Sequence, residues 1–125
     1  MGKISYTINE EKRIVYTKCT GELTLEDLKK HASSVIMDPN FHPDMNSISD
    51  TRETELENSF LTLFAFRDHL RNIEHVRGGF KWAIIINAKS PDAIELFKAL
   101  ASDGVFSIKL FENRNEAEKW ISKTG

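Results

Sequence analysis

The chain has 125 residues, of which 40% are hydrophobic and 29% are charged, with a net charge of −2 at pH 7. This length suits one domain around one core, and the hydrophobic content is too high for an intrinsically disordered chain. Because the charge is nearly balanced and basic residues do not cluster, we expect no nucleic-acid partner. We therefore predict a single domain over residues 1–125.

The first part of the chain predicts a β-hairpin followed by a helix. Polar and apolar residues alternate over 3–8 and again over 13–20, and the polar connection between them has hairpin length. Thr24 is the expected N-cap of the first helix, with Asp27 placed to complete a capping box. The helix is expected to end before Pro39.

A weak strand around Ile48 and a second helix are predicted next. The spacing of Thr54 and Glu57 indicates another capping box at the start of this helix. Its predicted core stripe consists of Leu56, Phe60, Leu63, Phe64, Leu70 and Ile73. Leu61 and Phe66 lie off that stripe and make the apolar face unusually wide.

The remaining elements are two strands, each followed by a helix. Gly78-Gly79 is expected to end the preceding helix or its loop, and the nearly continuous apolar run over 80–86 is typical of a buried parallel strand. Ser90-Pro91 predicts a helix start. A strand over 105–111 and a last helix capped by Asn113 follow.

The predicted order is therefore β-β-α-β-α-β-α-β-α, an α/β class fold. Strands that alternate with helices favour parallel pairing through right-handed crossovers. The opening hairpin makes the sheet mixed, and we expect the helices to pack on the sheet.

This order of elements, together with certain local residues, resembles the SpoIIAA-like fold of the STAS and SEC14-like bacterial families. The stretches that carry the resemblance are "ISYTINEEKRIVYTKCTGELTLEDL", "DPNFHPDM", "SDTRE" and "FENRNEAEKWI", and together they extend over essentially the whole chain. Small members of this group commonly have Asp-x-Arg after the third strand, which Asp50-Thr51-Arg52 matches.

Two functions follow from this resemblance. Anti-sigma-factor antagonists of this group are phosphorylated on a serine or threonine after the third strand, and the phosphate switches the binding of a protein partner. They usually carry Asp-Ser-Ser-Gly there, whereas this chain has only Thr51, Thr54 and Ser59 in the neighbourhood. The SEC14 side of the resemblance implies a lipid-like or other apolar ligand.

Residues 50–55 are predicted to form a loop at the carboxyl end of a parallel strand, where ligands bind in open α/β sheets. Asp50 and Arg52 could orient an anion or a partner carboxylate through the guanidinium fork. In the alternative interpretation, Asp50 binds loop amides and Arg52 pairs in solvent with Glu53 or Glu55. Both interpretations remain open from sequence.

Two further candidate features have structural alternatives. Thr51 is the weak candidate phosphosite, because Thr54 is expected to act as an N-cap. Leu61 and Phe66 are candidates for a ligand or partner surface, and the alternative is that a small domain simply wraps this helix more fully.

No metal site, cofactor or catalytic set is predicted. The four histidines lack ligand spacing with cysteines or carboxylates, and Cys19 lies within a strand. The longest apolar run is too short to span a bilayer, and no apolar N-terminal signal segment is present. We expect a cytoplasmic protein.

The favoured hypothesis is a non-enzymatic interaction or regulatory module that docks a protein partner or a second copy of itself. Its expected surface comprises Asp50, Thr51, Arg52, Leu61 and Phe66. The alternative is a carrier of a small apolar or lipid-like ligand held between the second helix and the sheet. An unrecognised enzyme is the weaker alternative.

Overall fold

The computed structural model describes residues 2–72, 80–102 and 106–123, which form five strands and four helices. The strands are β1 (Lys3–Asn9), β2 (Ile14–Leu23), β3 (Asn46–Leu56), β4 (Lys81–Ile85) and β5 (Ser107–Phe111), and the helices are α1 (Leu25–Met37), α2 (Ser59–Asn72), α3 (Pro91–Ser102) and α4 (Arg114–Ser122). Their order along the chain is the predicted one.

The strands form one sheet in the order β1-β2-β3-β4-β5. β1 and β2 pair antiparallel as a hairpin, whereas β2 with β3, β3 with β4 and β4 with β5 all pair parallel. The predicted mixed sheet opened by a hairpin is confirmed.

Three helix starts follow from local sequence as predicted. Thr24 Oγ1 accepts a hydrogen bond from the Asp27 amide at 3.2 Å, and Asp27 Oδ2 accepts one from the Thr24 amide at 2.9 Å, which completes the capping box of α1. Ser90 and Asn113 cap α3 and α4, each accepting the amide three residues further on.

The predicted capping box at Thr54 is wrong. Thr54 lies inside β3, which runs for 11 residues to Leu56, and its hydroxyl donates to the Gly21 carbonyl at 2.6 Å. The helix α2 starts only at Ser59. Strand β2 continues to Leu23 and offers β3 a partner along this whole length, so pairing with a distant strand overrides the local helix-start pattern.

The predicted core stripe of α2 is also partly wrong. Leu63, Phe66 and Leu70 are buried, at spacings of three and four residues, whereas Phe60 is 48% exposed. Phe66 therefore belongs to the core, although it was predicted to lie off the core stripe. Phe60 was predicted in the stripe and does not belong to the core. Leu61 lies off the core as predicted and is 73% exposed.

Some predicted features lie outside the described residues. They are Ile73, the glycine pair Gly78-Gly79 and the first residue of the predicted last strand, Val105.

The helices cover the two faces of the sheet unequally. Helices α1, α2 and α3 pack on one side of the sheet and form one apolar cluster with it. We call this side of the sheet the cavity face, because a cavity lies between it and the helices. Of the helices in the described ranges, only α4 packs on the opposite side, the outer face, where Ala117 and Ile121 meet Ile48, Ala83 and Ile85. Strand β4 is thus buried from both sides, as its continuous apolar run predicts.

Candidate functional site

The three residues of the predicted site, Asp50, Thr51 and Arg52, lie within β3 and not in a loop. Successive side chains of a strand point to opposite faces. The Thr51 side chain lines the cavity face and donates to the Ile85 carbonyl at 2.9 Å. Asp50 and Arg52 pair with each other on the outer face. The structure therefore separates Thr51 from its two neighbours.

Further along β3, a β-bulge changes which residue positions face the cavity. The pairing of β2 with β3 shifts register between Lys18 and Thr20, where β3 has one extra residue. Odd-numbered residues of β3 up to Thr51 line the cavity face, whereas Thr54 and Leu56 line it beyond the bulge. Bulges re-aim side chains in this way.

The outer face carries a charged cluster around Asp50, whose side chain is only 16% exposed. Asp50 accepts hydrogen bonds from Arg52 Nε at 3.0 Å, from Arg52 Nη2 at 2.8 Å, from the Arg52 amide at 3.1 Å and from Lys18 Nζ at 3.2 Å. Lys18 Nζ also contacts Glu53 Oε2 at 2.7 Å.

These contacts determine the electrostatics of Asp50. Burial disfavours the charged carboxylate, yet the hydrogen bonds from Arg52 and Lys18 outweigh it and lower the pKa of Asp50 to about 2. The guanidinium fork of Arg52 is engaged by Asp50. An incoming anion or partner carboxylate can reach the Nε–Nη2 edge of this fork only by displacing Asp50, whereas Nη1 forms no hydrogen bond to Asp50.

Thr51 as a phosphosite stays a prediction. Its hydroxyl faces the covered side of the sheet and is hydrogen-bonded to Ile85. Phosphorylation would replace the proton of this hydrogen bond and therefore remove it.

A cavity of about 90 Å³ lies between the sheet and the helices of the cavity face. Its walls are mainly apolar, and Phe66 of α2 meets Trp82 of β4 edge to face there, with ring centroids 6.5 Å apart. The main apolar lining residues are Leu28, Ala32, Val35, Leu63, Leu70 and Ile84. Phe66 therefore contributes to an internal wall, while its predicted companion Leu61 lies on the surface.

The sheet side of this cavity combines apolar side chains with hydroxyl groups. Five hydroxyl residues on β2 and β3 line it, and we call the four that precede the bulge the hydroxyl row, namely Thr17, Ser47, Ser49 and Thr51. The fifth, Thr54, lies beyond the bulge. Thr17 and Ser47 are both only 7% exposed. Ser49 Oγ accepts a hydrogen bond from Trp82 Nε1 at 3.0 Å, and Thr17 Oγ1 lies 3.3 Å from His31 Nε2 of α1.

Sequence reasoning missed the hydroxyl row as a site. The signal was present in "SISDT", where hydroxyl residues recur at every second position around Ile48. Period-two polarity normally marks a solvent-exposed face. Only the position of α1 and α2 shows that these hydroxyls face a covered cavity.

The described residues contain no cluster of three or more His, Cys, Asp or Glu side chains that could hold a metal ion. Cys19 is buried in the cavity wall, and burial raises the pKa of its thiol to about 12, far from a reactive thiolate. In the parts of the chain that the structure describes, no helix is long and apolar enough to cross a membrane.

No protein-family model matches the chain, and no curated protein does. Among solved structures, it is similar to an uncharacterised protein of the DUF3478 family from Shewanella loihica PV-4, described as having a SpoIIAA-like fold. The TM-score is 0.66 at 17% identity, over 97% of this chain and 95% of the other. At this identity the similarity concerns the fold alone. It confirms the resemblance predicted from the sequence: the chain has a SpoIIAA-like α/β fold.

Proposed function

We propose that the protein is a non-enzymatic binding domain that holds a small apolar or amphipathic molecule between the sheet and helices α1 and α2. The observation that carries this proposal is the cavity of about 90 Å³ with apolar walls and the hydroxyl row on its sheet side. Small-molecule sites are typically apolar pockets with a few polar groups that fix orientation.

The size of the cavity supports a ligand. Well-packed protein interiors contain few voids larger than a water molecule. A two-chain lipid is larger than this volume. The ligand is therefore small, or it inserts only one end of a chain.

A filled-cavity variant tests this proposal. Ala32 is a small buried residue of α1 in the cavity wall, and Ala32→Leu should fill part of the space. We expect native mass spectrometry of protein purified from its own host to show a bound small-molecule mass that Ala32→Leu loses.

Ala65→Leu is the matched control, because Ala65 lies half-buried on the neighbouring helix α2 and should keep the bound mass. A folded wild-type protein without any bound mass, and without affinity for small hydrocarbons, would contradict the proposal.

A second candidate function is docking of a protein partner or a second copy of the chain. Phe60 and Leu61 at the start of α2 are 48% and 73% exposed, and the Phe60 ring stacks on Phe64 with centroids 6.3 Å apart. Exposed apolar patches of this kind favour interaction surfaces. A cytoplasmic location suits both functions, since the lone Cys19 is a buried thiol.

The docking candidate makes its own prediction. Leu61→Glu should convert a dimer to a monomer, or abolish a partner complex, in size-exclusion chromatography with light scattering. Met37→Glu is the control, because Met37 is equally apolar and 82% exposed but lies at the end of α1. Equal behaviour of both variants and wild type would remove support for docking at α2.

A further inference from the structure

The hydroxyl of Ser49 has an unused donor. Its oxygen accepts a hydrogen bond from Trp82 Nε1 at 3.0 Å, and among the described residues its own O–H donates to no acceptor. A hydroxyl can donate once and accept twice. Ser49 therefore presents an O–H donor on the wall of the cavity.

The neighbouring hydroxyl groups of Thr51 and Thr54 can act only as acceptors towards a ligand, because both already donate their protons. Thr51 donates to the Ile85 carbonyl at 2.9 Å, and Thr54 donates to the Gly21 carbonyl at 2.6 Å. Their protons are engaged, so their oxygens are left to accept. The same wall thus offers a ligand one donor and two acceptors within six consecutive positions of β3, from Ser49 to Thr54.

Apart from the imidazole of His31, whose Nε2 lies 3.3 Å from Thr17 Oγ1, the described lining of the cavity has no side chain that carries a charge at neutral pH. Among the described residues that line it there is no lysine, arginine, aspartate or glutamate. The charged residues of this part of the sheet, Lys18, Asp50, Arg52 and Glu53, pair with one another on the outer face. A carboxylate or ammonium group moved into such a site loses its hydration without gaining a countercharge, which is costly.

We infer that the cavity selects ligands whose head group is uncharged and both donates and accepts hydrogen bonds, such as an alcohol or an amide, with the head held at Ser49 and Thr51. This inference rests on the proposed function, because it names the class of molecule for the same cavity. The apolar part of the ligand lies against Phe66, Leu63 and Trp82.

Three probes with six carbon atoms each separate the contribution of the head group from that of the apolar chain. Hexane has no head, hexanol has an uncharged donor and acceptor, and hexanoate is ionised at pH 8. NMR titrations follow the indole N–H of Trp82, which contacts the cavity, and Trp120→Phe assigns that signal because the chain has two tryptophans.

We expect hexanol to bind about tenfold or more tightly than hexanoate, since an unpaired buried charge is strongly disfavoured. Thr51→Val and Ser49→Ala should each weaken hexanol several-fold and leave hexane unchanged. Thr51→Val preserves shape, so it keeps the test usable if Ser49→Ala, which removes the partner of Trp82, does not fold. Thr20→Val is the control, because Thr20 alternates to the opposite face of β2.

The outcomes distinguish the two claims. If hexanoate binds as tightly as hexanol, or if hexane matches hexanol and neither variant changes hexanol binding, the head-group inference is wrong and the binding function stands. If none of the three probes shifts the Trp82 signal up to its solubility limit, both the inference and the proposed function are wrong.

Discussion

The two faces of the sheet use the same strands for different chemistry. On the cavity face, β2 and β3 present hydroxyls under three helices, and the space above them is not filled. On the outer face, the same strands present two cations and two anions that pair with one another, namely Lys18, Arg52, Asp50 and Glu53. The proposed ligand would meet hydroxyl groups on the first face, whereas the second face carries charges that are already paired.

This difference changes the meaning of Asp50-Thr51-Arg52. As a loop, the three residues would form one surface at the end of a strand. As part of β3, they are divided by the alternation of side chains. The residue that reaches the cavity is Thr51, and the charged pair beside it stabilises the opposite side of the sheet.

The largest expected effect concerns the cavity face. Phe66→Ala should lower the free energy of unfolding by about 3–5 kcal/mol, because a buried aromatic side chain in contact with Trp82 is lost and the cavity grows. Phe60→Ala on the same helix should change it by less than about 1 kcal/mol, since Phe60 is half exposed. Urea denaturation measures both. Equal losses would place Phe60 in the core after all.

The outer face is tested by Asp50→Asn. We expect a loss of about 1–2 kcal/mol in unfolding free energy at neutral pH, because Arg52 and Lys18 lose a charged partner in a mostly buried position. Urea denaturation gives the value. Asp44→Asn is the control, because the Arg13–Asp44 pair is solvent-exposed and should contribute little.

The difference in unfolding free energy between wild type and Asp50→Asn should depend on pH. The folded pKa of Asp50, at about 2, lies below its ordinary value of 3.8, so its contribution is fully present above pH 3.8. It is lost as the pH falls from there towards 2. The stability difference between wild type and Asp50→Asn should therefore shrink over this acid window and stay constant between pH 5 and pH 7. A difference that persists unchanged at the acid end would show that the charge of Asp50 is not its cause.

The smallest expected effect concerns Thr54, which was predicted to be an N-cap but lies within β3. Thr24→Val removes a true N-cap of α1 and should cost about 1 kcal/mol. Thr54→Val should cost about half as much, because Val suits a strand and only the hydrogen bond to Gly21 is lost. Thermal unfolding followed by circular dichroism compares the two. A matching loss accompanied by reduced helical signal would restore Thr54 as a helix cap.

Local patterns predict what depends on residues close together in sequence. The box of Thr24 and Asp27 succeeds because donor and acceptor are three residues apart in the same turn. The spacing of Thr54 and Glu57 is the same, but Thr54-Glu55-Leu56 also fits a strand. The choice between strand and helix depends on β2, whose Gly21 is 33 residues from Thr54 in sequence and which extends far enough to pair with all three residues.

The sequence by itself determined the order of elements, the mixed sheet, three helix caps and the SpoIIAA-like resemblance, because alternation and capping are short-range properties. Only the tertiary structure decided that Phe66 is internal, that Asp50 and Thr51 belong to different faces and that Ser49 lies beside a cavity. These outcomes depend on which helices cover which face and on the pairing of β2 along the full length of β3. Packing between distant segments controls both, and no local pattern encodes it.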